Sequence, residues 1–401
     1  MRQTWSYLLR HDPLPVLLSL HLFFVFGIPA KTLTTFNVVS FGAHPFGEYD
    51  STHAFLAAWS QACRSPHPAS IYVPPGEFRL GHVRFRGQCR NNDISITIDG
   101  KLVPSNDFQS IDDEYWLLFE FVDGVSIHGG VLDGRGARLW DCKNFGGTCP
   151  QGATTLGFSK SKNIEIKGLT SVNSQFFHIV FNGCRKVRVK DVKVMAPENS
   201  PNTDGIHVQF SSDVTILHSE IRTGDDCVSI GPGTSDLRIE HVACGPGHGI
   251  SIGSLAREMD EPGVERVTVK AVNMTGTQNG VRIKSWGRPS NGFVRRIVFQ
   301  NILMLGVQNP IIIDQNYCPD NINCPRQASG VKIKDVKYKM IKGTSATQVA
   351  VKFDCSSKHP CNSLRVEDVN LTLHEEEAEA QALCKNAAGT SSSWVRPQSC
   401  F

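Results

Sequence analysis

The stretch that decides the fold is "VTILHSEIRTGDDCVSIGPGTSDLRIEHVACGPGHGISIG", Val214–Gly253. Two short β-branched runs alternate with segments rich in Gly, Pro and Asp, which favour turns. Val228 opens the run VSIG 14 residues after Val214, and Ile250 opens ISIG 13 residues after Leu237. The stretch therefore holds two copies of one unit, each with at least two short strands.

The same unit recurs along most of the chain. From Ile164 to Ile297 the first runs follow one another at 23, 27, 23, 30 and 30 residues. This loose period predicts an all-β, single-stranded right-handed parallel β-helix. A leucine-rich repeat would need an L-x-x-L-x-L pattern, which is missing, and a β-propeller would need a longer period. An amphipathic helix is predicted after Asp50-Ser51-Thr52, where it would cover the open N-terminal end of the stack.

The N-terminal segment predicts export. Residues 14–28 carry no formal charge and follow Arg2 and Arg10, which is typical of a signal peptide. We therefore expect residues 1–30 to be a signal peptide and residues 31–401 to be the secreted parallel β-helix domain. A retained membrane anchor is the alternative, although the segment is short for a span of about 20 residues.

Charge and cysteine content fit a secreted protein. Removal of Arg2, Arg10 and Asp12 changes the net charge from +3 to +2, which argues against a nucleic-acid binder. Thirteen cysteines allow six pairs of sequence neighbours and leave Cys184 free. The predicted pairs are Cys63/Cys89, Cys142/Cys149, Cys227/Cys244, Cys318/Cys324, Cys355/Cys361 and Cys384/Cys400. No metal site is expected, because zinc-type Cys/His spacing is missing.

Stacking of the coils predicts where polar groups gather. If Val228, Ile250 and Val281 point inward, their neighbours point outward on coils about 4.8 Å apart. One outward column then holds His207, Ser229, Ser251 and Arg282, and the next holds Gln209, Gly231, Gly253 and Lys284. Asp204, Asp226 and His248 each lie two residues before an inward strand start. The sequence thus predicts one polar strip on the outer wall as the candidate site.

Four segments of this strip resemble polygalacturonases, glycoside hydrolase family 28. They are "SPNTDGIH" (200–207), "GDDCVSIG" (224–231), "GPGHGISIGS" (245–254) and "RIK" (282–284). Outside the strip, "FNVVSFGA" (36–43), "VLDGRGARLW" (131–140) and "QNYC" (315–318) resemble the plant enzymes. The resemblance covers roughly residues 35 to 400, essentially the whole mature chain.

The resemblance implies a pectin-lyase-like β-helix, with residues 31–401 as the catalytic domain, that hydrolyses α-1,4-galacturonan in the pectin of the plant cell wall. We further expect a monomer that needs no cofactor. It assigns Asp225 as general acid, supported by His248, and the pair Asp204 and Asp226 to water activation. It also implies that Arg282, Lys284 and Tyr317 contact the substrate, with the two cations on a galacturonate carboxylate. Because three neighbouring carboxyls cannot all ionise easily, we expect Asp225 to be the protonated one and activity to peak at mildly acidic pH.

Several alternatives remain open at this stage. The chain could be an exo-acting enzyme or a related hydrolase of rhamnogalacturonan or xylogalacturonan. A lyase would need a calcium cluster and a basic residue for proton abstraction. A silent wall-binding β-helix would be expected to have lost one of the three aspartates or the cations of the RIK segment. Individually, Asp204 and His248 could be ordinary turn residues, Arg282 and Lys284 solvated charges, and Tyr317 a packing residue beside a disulfide.

Overall fold

The structure is a computed structural model that describes residues 1, 3–4, 33–111, 113–373 and 379–401, and omits the side chain of Asp320. The predicted signal peptide therefore lies almost entirely outside the described residues. Within them, no helix is both long and apolar enough to cross a membrane.

The described residues between 33 and 401 form thirty strands, all paired in parallel. Two helices interrupt them, α1 (Thr52–Arg64) and α2 (Ala137–Asn144), together with 3₁₀ turns at Val38–Phe41, Phe108–Ser110 and Pro319–Asn321. The strands are β1 (Thr34–Asn37), β2 (Phe46–Asp50), β3 (Ala69–Val73), β4 (Glu77–Arg79), β5 (Val83–Arg86), β6 (Ile94–Val103), β7 (Tyr115–Glu120), β8 (Asp123–Asp133), β9 (Thr154–Ser159), β10 (Lys162–Lys167), β11 (Thr170–Val172), β12 (Ile179–Asn182), β13 (Arg185–Lys190), β14 (Lys193–Met195), β15 (Ile206–Gln209), β16 (Ser212–Leu217), β17 (Glu220–Arg222), β18 (Val228–Ile230), β19 (Ser235–Glu240), β20 (Ala243–Cys244), β21 (Ile250–Leu255), β22 (Val264–Thr275), β23 (Asn279–Trp286), β24 (Phe293–Val307), β25 (Asn309–Tyr317), β26 (Lys332–Ser345), β27 (Val349–Asp354), β28 (Cys361–Leu373), β29 (Gln381–Lys385) and β30 (Ala387–Ser391).

The strands make two parallel sheets that enclose one apolar interior, as the repeat predicts. The smaller sheet, which we call the site sheet, stacks eleven strands in the order β5, β7, β9, β12, β15, β18, β21, β23, β25, β27 and β29. Each coil contributes one strand to it, and the rest of the coil joins the larger sheet. Inside, Phe85, Phe119, Phe158 and Phe181 stack face to face on successive coils, with ring centroids 4.6 to 5.6 Å apart.

Each coil turns at a residue in the left-handed region of backbone conformation. The corner before the apolar run of the larger sheet repeats this conformation at φ between 53° and 57° on eight coils, at Asn163, Lys186, Asp213, Asp236, Arg266, Arg296, Asp335 and Ser363. Asn and Asp tolerate this region better than most residues. Lys and Arg at the same corner show that the stacked register, rather than local preference, fixes the turn.

Helix α1 lies against the first coils. Its buried side chains include Phe55 and Trp59, and the Trp59 ring lies 5.3 Å from that of Phe85. Ser51 is the N-cap residue and makes no side-chain cap hydrogen bond, and Asp50 Oδ1 accepts the Thr52 N–H at 2.7 Å. Helix α2 is an element that the repeat pattern did not predict.

The cysteine pairing is confirmed in full. All six predicted disulfides are present, and Cys184 is free and buried. The Cys227–Cys244 bond closes the turn that carries the candidate aspartates, since Cys227 directly follows Asp226. Burial raises the pKa of the Cys184 thiol to about 11, so this thiol is unreactive in the folded protein.

This pairing predicts how the protein alkylates. The native, non-reduced protein should take up no alkylating reagent, because its single thiol is buried and protonated. In denaturant it should take up one equivalent, at Cys184, as measured by intact mass and peptide mapping. Uptake of two or more equivalents in denaturant would contradict the pairing.

Candidate active site

The predicted outward column is confirmed by the register of the site sheet. His207 pairs with Ser229, Ser229 with Ser251, and Ser251 with Arg282, on four successive coils. The column is not solvated, however, because Ser229, Ser251 and Arg282 are at most 8% exposed. The expectation that the cations could be ordinary solvated charges is therefore wrong.

A ladder of hydroxyl groups fixes the two turns that carry the aspartates. Thr203 Oγ1 lies 2.7 Å from both Ser200 Oγ and Thr223 Oγ1, and it accepts the Gly224 N–H at 3.2 Å. All three hydroxyl residues are fully buried. Gly224 is required here, because a Cβ at this position would lie 2.1 Å from the Ser200 carbonyl oxygen. The turns before β15 and β18 are thus held at a fixed separation.

Asp226 lies at the centre of a buried ion cluster. Its Oδ1 accepts from Arg282 NH2 at 2.8 Å and from Ser251 Oγ at 2.7 Å, and its Oδ2 accepts from Lys284 Nζ at 2.8 Å. Burial alone would raise its pKa, but Lys284 and Arg282 outweigh that effect and lower the pKa of Asp226 to about 2. Asp226 is therefore a permanently ionised carboxylate at physiological pH.

Asp204 shows the opposite behaviour on the neighbouring coil. It is 5% exposed, and burial together with the charges of Asp225 and Asp226 raises the pKa of Asp204 well above its ordinary value. A hydrogen bond from Ser229 opposes this shift. The raised pKa was expected at Asp225, and the structure places it at Asp204. The charge of Asp225 is among the causes that raise this pKa, so Asp204 ionises more easily when Asp225 is uncharged.

Asp225 lies on the side of the turn that faces His248. Its Oδ1 is 3.0 Å from His248 Nδ1 and accepts the Asp226 N–H at 2.8 Å, and its Oδ2 accepts from Asn202 Nδ2 at 3.4 Å. The two neighbouring aspartates thus have separate partners, as their adjacency predicts. One ligand atom from each of Asp225, Asp226 and His248 lies within 4.8 Å of the others.

These three groups do not make a favourable cation site. The Asp226 carboxylate is already neutralised by Arg282 and Lys284, whose two positive charges would repel a further cation. The geometry instead fits proton transfer. One carboxyl with a raised pKa, one held ionised and one exposed to the cleft beside a histidine are the groups that acid–base catalysis needs.

His207 is a site residue whose role the sequence left undecided. Its Nδ1 lies 2.7 Å from Ser229 Oγ, and its ring lies 5.1 Å from that of Phe177. Burial lowers the pKa of His207 to about 4, so it is neutral at physiological pH. Ser229 therefore links a neutral imidazole to the Asp204 carboxyl.

All the candidate carboxylates open into one cleft of about 510 Å³ that runs along the site sheet. Lys284 and Tyr317 line its C-terminal part, where Lys284 Nζ lies 5.1 Å from the centre of the Tyr317 ring. Arg282 is buried beside Asp226, and its Nε donates to Ser251 Oγ at 2.9 Å. Further lining residues that the sequence did not single out are Tyr115, Gln151, Phe176, Phe177 and Arg257.

The contrast between the two buried aspartates predicts opposite effects on stability. Asp204→Asn should raise the free energy of unfolding at pH 7 by on the order of 1 kcal/mol, because it removes a carboxylate that is costly to ionise. Asp226→Asn should lower it by about 3–5 kcal/mol, because it leaves two buried cations without their partner. Urea unfolding of each variant and of the wild-type protein measures both changes in the free energy of unfolding.

The pH dependence of these effects follows from the pKa directions. The gain from Asp204→Asn should vanish below the ordinary aspartate pKa, about 3.9, where Asp204 is protonated in both states. The stability supplied by Asp226 should persist above that value and disappear as the pH falls through about 2. Changes of the same sign in the two variants at pH 7 would contradict this electrostatic description.

Comparison with known proteins agrees with this site. The family model for glycosyl hydrolases family 28 matches residues 63–394. A polygalacturonase of Prunus persica is 58% identical over 389 residues, covering 96% of this chain and 98% of the relative. An exopolygalacturonase of Platanus acerifolia is 39% identical, covering 89% and 95%. The endo-xylogalacturonan hydrolase of Aspergillus tubingensis, at 23% identity, shares the fold with a TM-score of 0.78 over 91% of this chain and all of that one. The chain therefore belongs to glycosyl hydrolases family 28 and is a glycoside hydrolase.

Proposed function

We propose that this enzyme is a polygalacturonase that hydrolyses α-1,4-galacturonosyl linkages of pectin with inversion of configuration. The observation that carries this proposal is the Asp226 cluster, in which Arg282 and Lys284 hold one carboxylate ionised beside two others on the cleft floor. The relatives that are polygalacturonases support the choice of substrate.

Asp225 acts as the general acid. Its carboxyl faces the cleft and is held by His248 Nδ1 and the Asp226 N–H, which fix its orientation towards a leaving oxygen. In the reactive form, the pair Asp204 and Asp225 holds one proton, which lies on Asp225 while Asp204 is ionised. Since this form requires one proton in the pair, activity should be highest at mildly acidic pH and fall as the pH rises.

Asp204 and Asp226 activate the attacking water. Asp204 takes its proton, because burial makes Asp204 the more basic of the two carboxylates. Asp226 already accepts three hydrogen bonds, and a carboxylate has about four acceptor positions, so one remains to orient the water. An Asp226 held in this way is a poor nucleophile, and this favours inversion over a covalent intermediate.

Substrate recognition depends on charge in the C-terminal part of the cleft. Lys284 and the buried Arg282 provide positive potential for a galacturonate carboxylate. Tyr317 provides a ring against which a sugar can pack. A neutral sugar would form no ion pair with these cations. This selects a uronate next to the cleaved bond.

The placement of the enzyme forms part of the same proposal. Residues 1–30 direct secretion to the plant cell wall, and residues 31–401 are the catalytic domain, a right-handed coil whose first turns are covered by α1. The enzyme acts on the pectin chain as a monomer without a cofactor. Asn273 and Asn370 are exposed and lie in sequons, so both can carry glycans.

Activity on polygalacturonate tests this proposal. The wild-type protein should release reducing ends, and Asp225→Asn should lower kcat by about 10²- to 10⁴-fold, because it removes the general acid. Asp213→Asn is the matched control, since Asp213 is exposed on the larger sheet and should leave kcat unchanged. Binding without release of reducing ends by the wild-type protein would indicate a silent wall-binding protein instead.

A further inference from the structure

The two cations expected to bind the substrate are already committed within the protein. Arg282 and Lys284 are 8% and 6% exposed, and both pair with Asp226 at 2.8 Å. A uronate carboxylate entering the cleft would have to share them with an internal carboxylate that they hold ionised. A cation without such a partner would bind the substrate carboxylate at a lower cost.

Arg257 is such a cation. It lies in the segment 256–263 between β21 and β22 and lines the same cleft, alongside Lys284 and Tyr317. In the part of the chain that the structure describes, no carboxylate oxygen lies within 4.0 Å of its guanidinium nitrogens, and its side chain is exposed. His207 lines the same cleft, and its pKa is lowered mainly by burial, with the positive charge of Arg257 contributing.

The backbone beneath Arg257 is held in place by a buried carboxylate. Glu261 is 8% exposed and accepts hydrogen bonds from the N–H groups of Ala256 and Arg257. Ala256 adopts φ of 65°, in the left-handed region, which turns the chain out of β21 at this point. A fixed backbone reduces the entropy lost when the guanidinium binds a ligand.

We propose that Arg257 binds a uronate carboxylate of the substrate on the C-terminal side of the catalytic aspartates and so determines specificity for an unesterified uronate. Guanidinium and carboxylate match as a bidentate pair, and Arg257 has all of its side-chain donors available for it. Arg257 then adds a direct carboxylate contact to the positive potential that Lys284 and Arg282 provide. This inference rests on the proposed function and adds a substrate-binding residue that the sequence motifs did not include.

The test measures binding rather than turnover. Calorimetry gives the affinity of trigalacturonate for the Asp225→Asn enzyme, which binds without cleaving efficiently. Adding Arg257→Ala should weaken binding roughly tenfold, as expected for loss of a hydrogen bond to a charged group. Adding Arg257→Lys should weaken it less, because a point charge remains. The fully methyl-esterified trimer should show no difference between these variants.

The matched control is Arg188→Ala in the same background. Arg188 is exposed on β13 of the larger sheet, away from the cleft, and its removal lowers the net charge equally. Equal loss in both variants would overturn the inference, because it would show a general charge effect. Unchanged affinity on removal of Arg257 would also overturn it while leaving the proposed function intact. No binding of trigalacturonate by the Asp225→Asn enzyme itself would overturn both.

Discussion

The buried cluster of Asp226, Arg282 and Lys284 is the constraint on which the site depends. It joins residues from the coils of β18 and β23, which are far apart in sequence and two steps apart along the site sheet. Burying three charges is costly unless each is paired, and here Ser251 completes the pairing by accepting from Arg282 and donating to Asp226. The parallel register that stacks these coils is what makes the pairing possible.

This cluster also separates the behaviour of two similar carboxyls. Asp204 and Asp226 occupy equivalent positions on adjacent coils and are both buried, yet the pKa of one is raised and that of the other is lowered to about 2. The difference arises because the cations lie next to Asp226, whereas Asp204 has a hydroxyl group and two negative neighbours. Position in the coil thus brings the two carboxyls together, and the adjacent cations bring the pKa of Asp226 below its ordinary value, whereas that of Asp204 stays raised.

Much of this could be predicted from the sequence, because a stacked coil converts a repeat directly into neighbours. The outward column and the gathering of the aspartates beside the RIK segment required only the period and the alternation of strands, and the six disulfides required only the pairing of cysteines that are neighbours in sequence. Burial of Arg282 and the raised pKa of Asp204 could not be predicted, since they depend on which side chains close over the strip. Left-handed corners at Lys186 and Arg266, helix α2 and the position of Arg257 likewise follow from tertiary register or loop shape.

The central claim is that an ion-paired Asp226 and a basic Asp204 activate water rather than attack the sugar. Attack by an activated water inverts the configuration of the sugar carbon, whereas a covalent intermediate retains it. Proton NMR in the first moments of polygalacturonate digestion, before mutarotation, resolves the question directly. The account predicts that the new reducing end appears first as the β-anomer, and an initial α-anomer would show a covalent intermediate and contradict it.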